Sequence, residues 1–434
     1  MGESYLTNIG AATEFSAGAA FWNRYGRTLY NATAGQVAYN ATAANGTARP
    51  KPVLRTTSQS RIQNSQINWA LGFFGTSFQK VVDPLLTAFT NGSLFDVVVI
   101  PEGGTENNTL ASYDSCFNAD LNPTGELGDL DLLTYIPKYL SAATKRLQAY
   151  CPPGFTLTTN DTYAMQSICA YETGYIGQSD FCTQFTQDEW AGFEQTLDML
   201  YYYDYSYGNP TGRAQGIGYV QELIARLTNQ YITASNSSVN STITNNPADF
   251  PLGRPFYADF SHDDILISVM TALSIDYFRE APKLNEVPPN PNRHFILSHL
   301  TPFGARLVTE VIGCSSPSPS PVASHRTQYY PSQYGYNAAN ASSKFVRMRL
   351  NNGILPLNTI RGGGCGNRTD GLCALSGFLA SQTNANAMAN YQYACFGNYS
   401  IVNATNGNDY DGTISNLTAG VLHYPGLITA EDLS

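Results

Sequence analysis

The sequence predicts an α/β fold with a mostly helical domain inserted into it. Short runs rich in β-branched and aromatic residues, typical of buried strands, precede segments in which apolar residues recur at helical spacing. Between two groups of such units, residues 106–250 have a helical, tyrosine-rich pattern. This interruption indicates a discontinuous α/β domain at residues 1–105 and 251–434, with a helical domain inserted at 106–250.

The first part of the α/β domain alternates between helix and strand. A loose apolar stripe predicts a helix within residues 1–30, and residues 31–50 form a predicted loop. KPVLRTT (51–57) is a predicted strand that leads into a helix near SRIQNSQINWALGFF. LFDVVVIPE (94–102) is a second predicted strand with a buried, β-branched centre.

The second part of the α/β domain begins with another strand, RPFYADF. A further strand is predicted at KFVRMRLNNGILPL (344–357). Between them, CSSPSPSPVAS (314–324) is a Pro/Ser-rich loop that we expect to be exposed.

The composition predicts a large globular core and excludes several kinds of partner. Of the 434 residues, 43% are hydrophobic and only 13% are charged, with a net charge of −10. Nucleic acid is excluded as a partner because its phosphates need clustered Lys and Arg. A membrane is excluded as well, because no apolar run reaches the roughly 18 residues of a spanning helix.

The sequence has the features of a secreted glycoprotein. Eight cysteines and thirteen Asn-x-Ser/Thr sequons indicate an oxidising compartment and N-glycosylation. The sequons begin at Asn31, Asn40, Asn45, Asn91, Asn107, Asn160, Asn236, Asn240, Asn340, Asn367, Asn398, Asn403 and Asn416. The start, MGESYLTNIG, lacks the basic and apolar regions of a signal peptide. We therefore expect either a natural N-terminus upstream or a mature chain with an added Met.

The stretch FYADFSHDDILISVMTAL (256–273) carries the candidate functional residues. A strand-like run ends at Ser261, and the apolar residues that follow recur at helical spacing. His262, Asp263 and Asp264 thus fall between a strand and a helix, which Ser261 or Asp263 can cap. Open α/β sheets bind ligands at such positions, and a helix N-terminus favours an anion.

Arg55 lies in a similar place, near the carboxyl end of a predicted strand and before a helix. An arginine, a histidine and an aspartate that meet there can form a phosphate site. The guanidinium grips two oxygens, the imidazole donates to a third, and the carboxylic acid protonates a departing alkoxide. The simpler interpretation is that the aspartates only cap a helix and the histidine is a structural residue.

Several segments resemble those of one known family, in the same order from about residue 5 to 400. YADFSHDDILISVMTALS resembles a His-Asp signature segment, and KPVLRTTSQSRIQNS is similar to a strand with a phosphate-gripping arginine. YYYDYSYGNPTGRAQGIGYVQELIARL resembles a helical-domain segment, while LTNIGAATEFSAGAAFWNRYG, LTPFGARLVTEVIGC and FVRMRLNNGILPL match core segments. The family is that of the histidine acid phosphatases, in the phosphoglycerate mutase-like superfamily, and its secreted fungal phytases are the most similar branch.

The resemblance implies a fold, a reaction and site residues. The fold is a three-layer α/β/α sandwich with an inserted helical domain, and the reaction is hydrolysis of a phosphomonoester at acid pH. Arg55 and His262 would hold the transferred phosphoryl group, and Asp263 would be the general acid. Asp264 replaces an asparagine common in phytases, so its substrate contact is tentative. No metal or other cofactor is implied.

One departure from the family pattern concerns the nucleophile. The family motif Arg-His-Gly-x-Arg-x-Pro supplies the histidine that becomes phosphorylated, and no Arg-His-Gly occurs in this sequence. We expect this motif to lie in a missing N-terminal segment, which also supplies a central strand in the family. The chain alone is then inactive and poorly stable unless that segment is present as a separate peptide. The alternative is a catalytically inactive secreted glycoprotein that retains the phosphatase fold.

The resemblance also implies three disulfides. They join Cys116 to Cys395, Cys169 to Cys182, and Cys365 to Cys373. Cys151 and Cys314 remain, and they could pair with each other or with absent partners.

The sequence identifies the substrate class less specifically than it identifies the family. Segment similarity favours myo-inositol phosphates, but Met199-Leu200 stands where related phytases often have lysines. Arg213 is a candidate to compensate for them. A serine hydrolase is disfavoured because GQSDF and ALSGF both fail the Gly-x-Ser-x-Gly pattern. A glycosidase with paired carboxylates is not excluded by spacing alone.

Overall fold

The computed structural model describes residues 5–32, 35–75, 94–104, 106–320, 341–401 and 410–415. The longer helices are α1 (Asn8–Phe21), α3 (Ser60–Phe74), α4 (Leu127–Gln148), α5 (Thr159–Ile176), α6 (Gln187–Tyr205), α7 (Gly212–Thr228) and α9 (Asp263–Ala272). The shorter ones are α2 (Arg27–Leu29), α8 (Ser241–Thr244), α10 (Leu297–Leu300), α11 (Leu375–Ser381), α12 (Ala385–Ala389) and α13 (Tyr391–Phe396). The strands are β1 (Val53–Thr57), β2 (Asp96–Ile100), β3 (Ala258–Phe260), β4 (Leu307–Cys314), β5 (Ser343–Leu350), β6 (Gly353–Ile354) and β7 (Cys373–Ala374).

A parallel sheet in the order β2-β1-β3 lies at the centre of the α/β part. In its register, Arg55 of β1 lies opposite Val98 of β2 and Asp259 of β3. Successive residues of a strand face opposite sides of a sheet. Leu54 packs into an aromatic cluster with α1 and α3, whereas Arg55 contacts Glu222 of α7. Helices therefore cover both faces of this sheet, which confirms the predicted α/β class.

Helices α1 and α3 pack closely because each has a glycine at their crossing. A methyl group on Gly18 would lie 1.9 Å from the carbonyl oxygen of Trp69. A methyl group on Gly72 would lie 2.0 Å from the carbonyl oxygen of Phe15. Only glycine permits two helix backbones to approach to this distance. The predicted helix at 1–30 is α1, a π-helical turn at Trp22–Gly26, and α2.

A second, antiparallel sheet is built on β5. β4, β6 and β7 each pair with it, and β4 does so over its full length. The predicted strand at 344–357 is divided into β5 and β6, which form a hairpin with Asn351 at a φ of 56°. β4 was not among the predicted strands. Its Glu310 accepts a hydrogen bond of 2.7 Å from Tyr25, which connects this sheet to the turn after α1.

Residues 106–250 contribute helices α4 to α8, as the sequence predicts. Capping boxes begin two of them, with Thr158 and Asp161 at α5 and Thr186 and Glu189 at α6. The apolar core of these helices is continuous with that around α9 and the second sheet. A domain boundary at 106 and 250 stays a prediction.

Three disulfides connect described cysteines, and they match the pairs that the resemblance implied. They are Cys116–Cys395, Cys169–Cys182 and Cys365–Cys373. Cys151 and Cys314 are both partly buried and carry free thiols. They are not bonded to each other in this structure, which removes one of the two alternatives for them.

The described sequon asparagines are accessible, since all are exposed except Asn240, which is half-buried. Glycosylation itself stays a prediction. Outside the described residues lie the sequons Asn91, Asn340, Asn403 and Asn416, and the end of the Pro/Ser-rich loop, residues 321–324. In the described part of the chain, no helix combines the length and apolar character needed to cross a bilayer.

Candidate active site

The junction between β3 and α9 has the predicted strand-to-helix geometry. His262 is the N-cap residue of α9, and Asp263 and Asp264 occupy its first turn. The expectation that Ser261 or Asp263 caps the helix was wrong, because His262 holds that position. The Ser261 hydroxyl instead donates to the carbonyl oxygen of Leu110 at 2.5 Å. The two acidic residues still face the positive end of the helix dipole.

Arg55 is the centre of a buried ion-pair cluster. Its Nε lies 2.7 Å from Asp259 Oδ1, and its Nη2 lies 2.7 Å from Glu222 Oε2. Arg226 of α7 contacts the other oxygen of Asp259 at 2.5 Å. The Glu222 carboxylate also accepts a 3.0 Å hydrogen bond from Thr109. Two guanidiniums and two carboxylates thus balance each other beneath the sheet.

The electrostatics of this cluster keep Asp259 and Arg55 charged. Burial alone would raise the pKa of Asp259, but Arg226 and Arg55 hold it well below its usual range. The two carboxylates hold the pKa of Arg55 well above its usual range despite burial. Within the described residues, Arg55 Nη1 has no hydrogen-bond partner, although the side chain is only 1% exposed. This nitrogen therefore has hydrogen-bonding capacity that the described contacts do not use.

His262 contacts a residue that the sequence analysis did not single out. Its Nε2 lies 2.9 Å from Oε1 of Glu102, which follows β2 by two residues. Glu102 also accepts a 2.5 Å hydrogen bond from Gln59, which follows β1 by two residues. Because β1 lies between β2 and β3, the contact between His262 and Glu102 spans the carboxyl end of the central strand.

Asp263 is exposed, and a tyrosine from the helical segment holds it. The Tyr201 hydroxyl donates to Asp263 Oδ2 at 2.7 Å. Asp264 is half-buried beside it and accepts a 2.7 Å hydrogen bond from the Ile265 backbone N–H. Burial, and then the neighbouring charge of Asp263, raise the pKa of Asp264 to about 7. Asp264 is therefore protonated in mildly acidic solution.

The predicted site residues thus lie on adjoining strands and the loop that follows one of them. Arg55 pairs directly with Asp259, which precedes His262 by three residues. The polar contacts connect Arg55 to Asp259 and Glu222, and His262 to Glu102. Glu102 follows the carboxyl end of a predicted strand, as His262 does. Glu102 could therefore have been predicted as a site residue in the same way.

One expectation about substrate recognition was wrong. Arg213 is fully buried, and its Nε donates to the Asp411 carbonyl oxygen at 2.6 Å. It also contacts the hydroxyl of Ser274, so it supports the protein core and does not replace a lysine at the surface. Met199 is likewise fully buried, and its position therefore faces the core of the helical segment.

Residues 1–351 match the histidine phosphatase superfamily (branch 2), and the chain belongs to that family. Phytase A of Aspergillus terreus is 30% identical over 404 residues, which cover 91% of this chain and 74% of that protein. Phytase A of Aspergillus fumigatus is 31% identical over 320 residues, which cover 72% of this chain. That match spans 65% of the A. fumigatus protein, slightly less than two thirds of its length.

Solved structures support the same fold at lower sequence identity. The phytase from D. castellii superposes with a TM-score of 0.62 at 20% identity, covering 91% of this chain and 68% of that one. A multiple inositol polyphosphate phosphatase from Bifidobacterium longum, in complex with inositol hexasulfate, has a TM-score of 0.50 at 13% identity. That match covers 81% of this chain and 74% of the B. longum chain.

Proposed function

We propose that this chain supplies the phosphate-binding and proton-donating groups of an acid phosphomonoesterase that acts on myo-inositol phosphates. The observation that carries the proposal is the His262-Asp263 pair at the start of α9, beside the strand that holds Arg55. The similarity to phytase A proteins supports the substrate class. Arg55 and His262 hold the phosphoryl group, and Asp263 protonates the departing alcohol.

The geometry gives each residue a distinct task. His262 presents its ring at the N-terminus of α9, where the helix dipole favours an anion. Arg55 Nη1 adds a donor from the buried side. Asp263 is exposed and fixed by Tyr201, so it can reach an alcohol leaving group. Asp264, which stands beside it, contacts the substrate.

The nucleophile that accepts the phosphoryl group is proposed to come from another segment. The motif Arg-His-Gly-x-Arg-x-Pro is absent from the 434 residues, and covalent phosphoryl transfer requires a nucleophile. Within the described residues, β3 pairs with β1 alone and β4 with β5 alone. These open edges support the addition of an extended segment as a strand. By itself the chain is proposed to bind phosphate without appreciable turnover.

A comparison of two substrates tests whether Asp263 is the general acid. The chain is joined to a family segment that carries the motif, and release of phosphate is measured near pH 5. Asp263→Asn should slow hydrolysis of inositol hexakisphosphate by roughly 10²- to 10⁴-fold. It should slow hydrolysis of p-nitrophenyl phosphate much less, because that leaving group needs no proton.

Two results would contradict the proposal. Ordinary enzymatic turnover by the unaltered chain would show that the nucleophile lies within it. Equal losses on both substrates would remove Asp263 as the general acid. If the joined protein is folded but hydrolyses neither substrate, the non-catalytic glycoprotein becomes the better description.

We further propose that the protein is extracellular and N-glycosylated. The three disulfides and the accessible sequon asparagines support this assignment. Enzymatic removal of N-glycans from the natural protein should lower its mass and leave aspartate at the occupied sequons. An unchanged mass would contradict the proposal.

A further inference from the structure

Glu102 is held in place by more contacts than a surface carboxylate needs. Its Oε2 accepts hydrogen bonds from Gln59 Nε2 at 2.5 Å and from Tyr113 at 3.3 Å. Its backbone N–H donates to Ser58 Oγ at 3.0 Å. Its Oε1 is directed at His262 Nε2, and the side chains of both residues are less than a tenth exposed. These contacts together hold Oε1 toward the imidazole.

The charge of Glu102 determines which nitrogen of His262 carries a proton. Burial alone would raise the pKa of Glu102, but hydrogen bonds from His262 and Gln59 lower it below its usual value. A carboxylate only accepts hydrogen bonds, so Nε2 of His262 must be the donor. In the neutral ring, Nδ1 then carries a lone pair, which repels an anionic oxygen. In the protonated ring, Nδ1–H is a donor.

We infer that Glu102 is the positioning residue of His262, and that it permits only the protonated ring to grip a phosphoryl oxygen through Nδ1. The inference rests on the proposed function, because it assigns His262 to an anion. It makes anion binding strongest in acid and weaker as pH rises. The acid preference would then originate in a specific contact, in addition to the general-acid role of Asp263.

The other charged groups around His262 also favour its protonated ring, but they do not determine which nitrogen carries the proton in the neutral ring. Asp114, from the turn before Cys116, and Asp264, from α9, both interact electrostatically with the ring. Tyr113 contacts it edge-on, with ring centroids 5.6 Å apart. Glu102 accepts the hydrogen bond that Nε2 donates, so a change at that residue isolates the effect.

The variant Glu102→Gln reverses the hydrogen bond at Nε2. Gln59 and Tyr113 both donate to the Oε2 position, so the amide oxygen should remain there and the NH₂ group should face His262. Nε2 must then accept, and the neutral ring carries its proton on Nδ1. In this variant, the neutral ring can donate to an anion.

The probe for the experiment is myo-inositol hexakissulfate, whose sulfate groups stay charged across the pH range. Calorimetry near pH 5 and near pH 8 should give at least a roughly tenfold weaker Kd at the higher pH for the wild type. Glu102→Gln should bind more weakly near pH 5 and should lose less than about threefold between the two values. Glu102→Asp, which restores the charge, should restore the pH dependence. Glu106→Gln, which removes an exposed charge four residues away, is the matched control and should behave like the wild type.

A second measurement does not depend on ligand binding. ¹⁵N NMR of the His262 ring near pH 8 should show the proton on Nε2 in the wild type and on Nδ1 in Glu102→Gln. The same tautomer in both proteins, or equal pH dependence of their Kd values, overturns the inference even if both bind the probe. A folded wild type that shows the expected tautomers but does not bind the probe near pH 5 refutes the proposed function and the anion contact together.

Discussion

At the scale of single residues, Arg55 has both a structural and a functional role. Its charge balances Asp259 and Glu222 in a buried cluster, and its Nη1 has no hydrogen-bond partner among the described residues. Removal of one member of a buried ion pair leaves an uncompensated charge, which typically costs about 3–5 kcal/mol. Loss of activity in an Arg55 variant would therefore have to be separated from loss of folding.

Ionisation of Asp264 should weaken anion binding as pH rises. Its pKa of about 7 means that the carboxyl is neutral near pH 5 and negative near pH 8. Asp264→Asn should bind myo-inositol hexakissulfate like the wild type near pH 5 and roughly twofold more tightly near pH 8. Calorimetry at the two pH values checks this prediction. A ratio of Kd values that does not change with pH would contradict it.

At the scale of elements, the packing of α7 against α9 positions the ion-pair cluster around Arg55. A methyl group on Gly216 of α7 would lie 2.0 Å from the carbonyl oxygen of Ser268 in α9. The same helix carries Glu222 and Arg226, which contact Arg55 and Asp259. The position of the ion-pair cluster therefore depends on this close helix crossing.

Gly216→Ala should force these two helices apart. Because the obstacle is backbone, we expect a loss of unfolding free energy of roughly 2 kcal/mol or more, measured by urea denaturation. Gly35→Ala is the matched control, since no described residue lies within 4 Å of a methyl group there and Gly35 is exposed. Equal stability of the two variants would show that the crossing can relax at little cost.

Helix α4 contains a buried carboxyl that should make stability depend on pH. Asp131 is fully buried, and in the described part of the chain neither of its carboxylate oxygens has a hydrogen-bond partner. Burial raises its pKa to about 7, with a smaller opposing effect of Lys138. The folded state therefore holds this proton more tightly than the unfolded chain does, and the resulting stability is lost as pH rises from about 4 to about 7.

Asp131→Asn should remove this pH dependence. Relative to the wild type, the variant should gain up to about 4 kcal/mol of unfolding free energy between pH 4 and pH 8, since one pKa unit corresponds to about 1.4 kcal/mol. Chemical denaturation at both pH values measures the difference. Asp188→Asn, which removes an exposed carboxylate from the first turn of α6, is the control. A gain of the same size in the control would refute the assignment to Asp131.

At the scale of the whole molecule, one disulfide joins distant parts of the chain. Cys116 and Cys395 are both fully buried and are separated by 279 residues, whereas Cys169 and Cys182 are separated by 13. A longer closed loop restricts the unfolded chain more strongly. The long-range disulfide should therefore contribute more to stability than the local one.

Replacement of each pair by alanine tests this order. The chain-entropy relation gives a loss of roughly 5 kcal/mol for Cys116/Cys395 and roughly 3 kcal/mol for Cys169/Cys182. Thermal unfolding of the two double variants, at one pH and protein concentration, compares them. A larger loss for the local pair would contradict the prediction and would indicate that packing around Cys169 dominates.

The sequence by itself determined the elements that local chemistry specifies, together with the family. β1 and α3 lie within or next to the predicted segments because a β-branched run and a helical period are properties of adjacent residues. The strand-to-helix junction at His262 was predicted for the same reason. Resemblance to the phosphatase family supplied the three disulfide pairs, which no spacing rule gives.

Only the tertiary structure decided which partners each site residue has. His262 meets Glu102 from 160 residues earlier, Arg55 meets Glu222 from 167 residues later, and Asp263 meets Tyr201 from 62 residues earlier. Such contacts depend on strand order and helix crossing, which no local pattern encodes. Arg213 was wrongly predicted to take part in substrate recognition because its partner is also distant in the sequence. A charged residue within a polar helix pattern can be buried when a distant group such as Asp411 neutralises it.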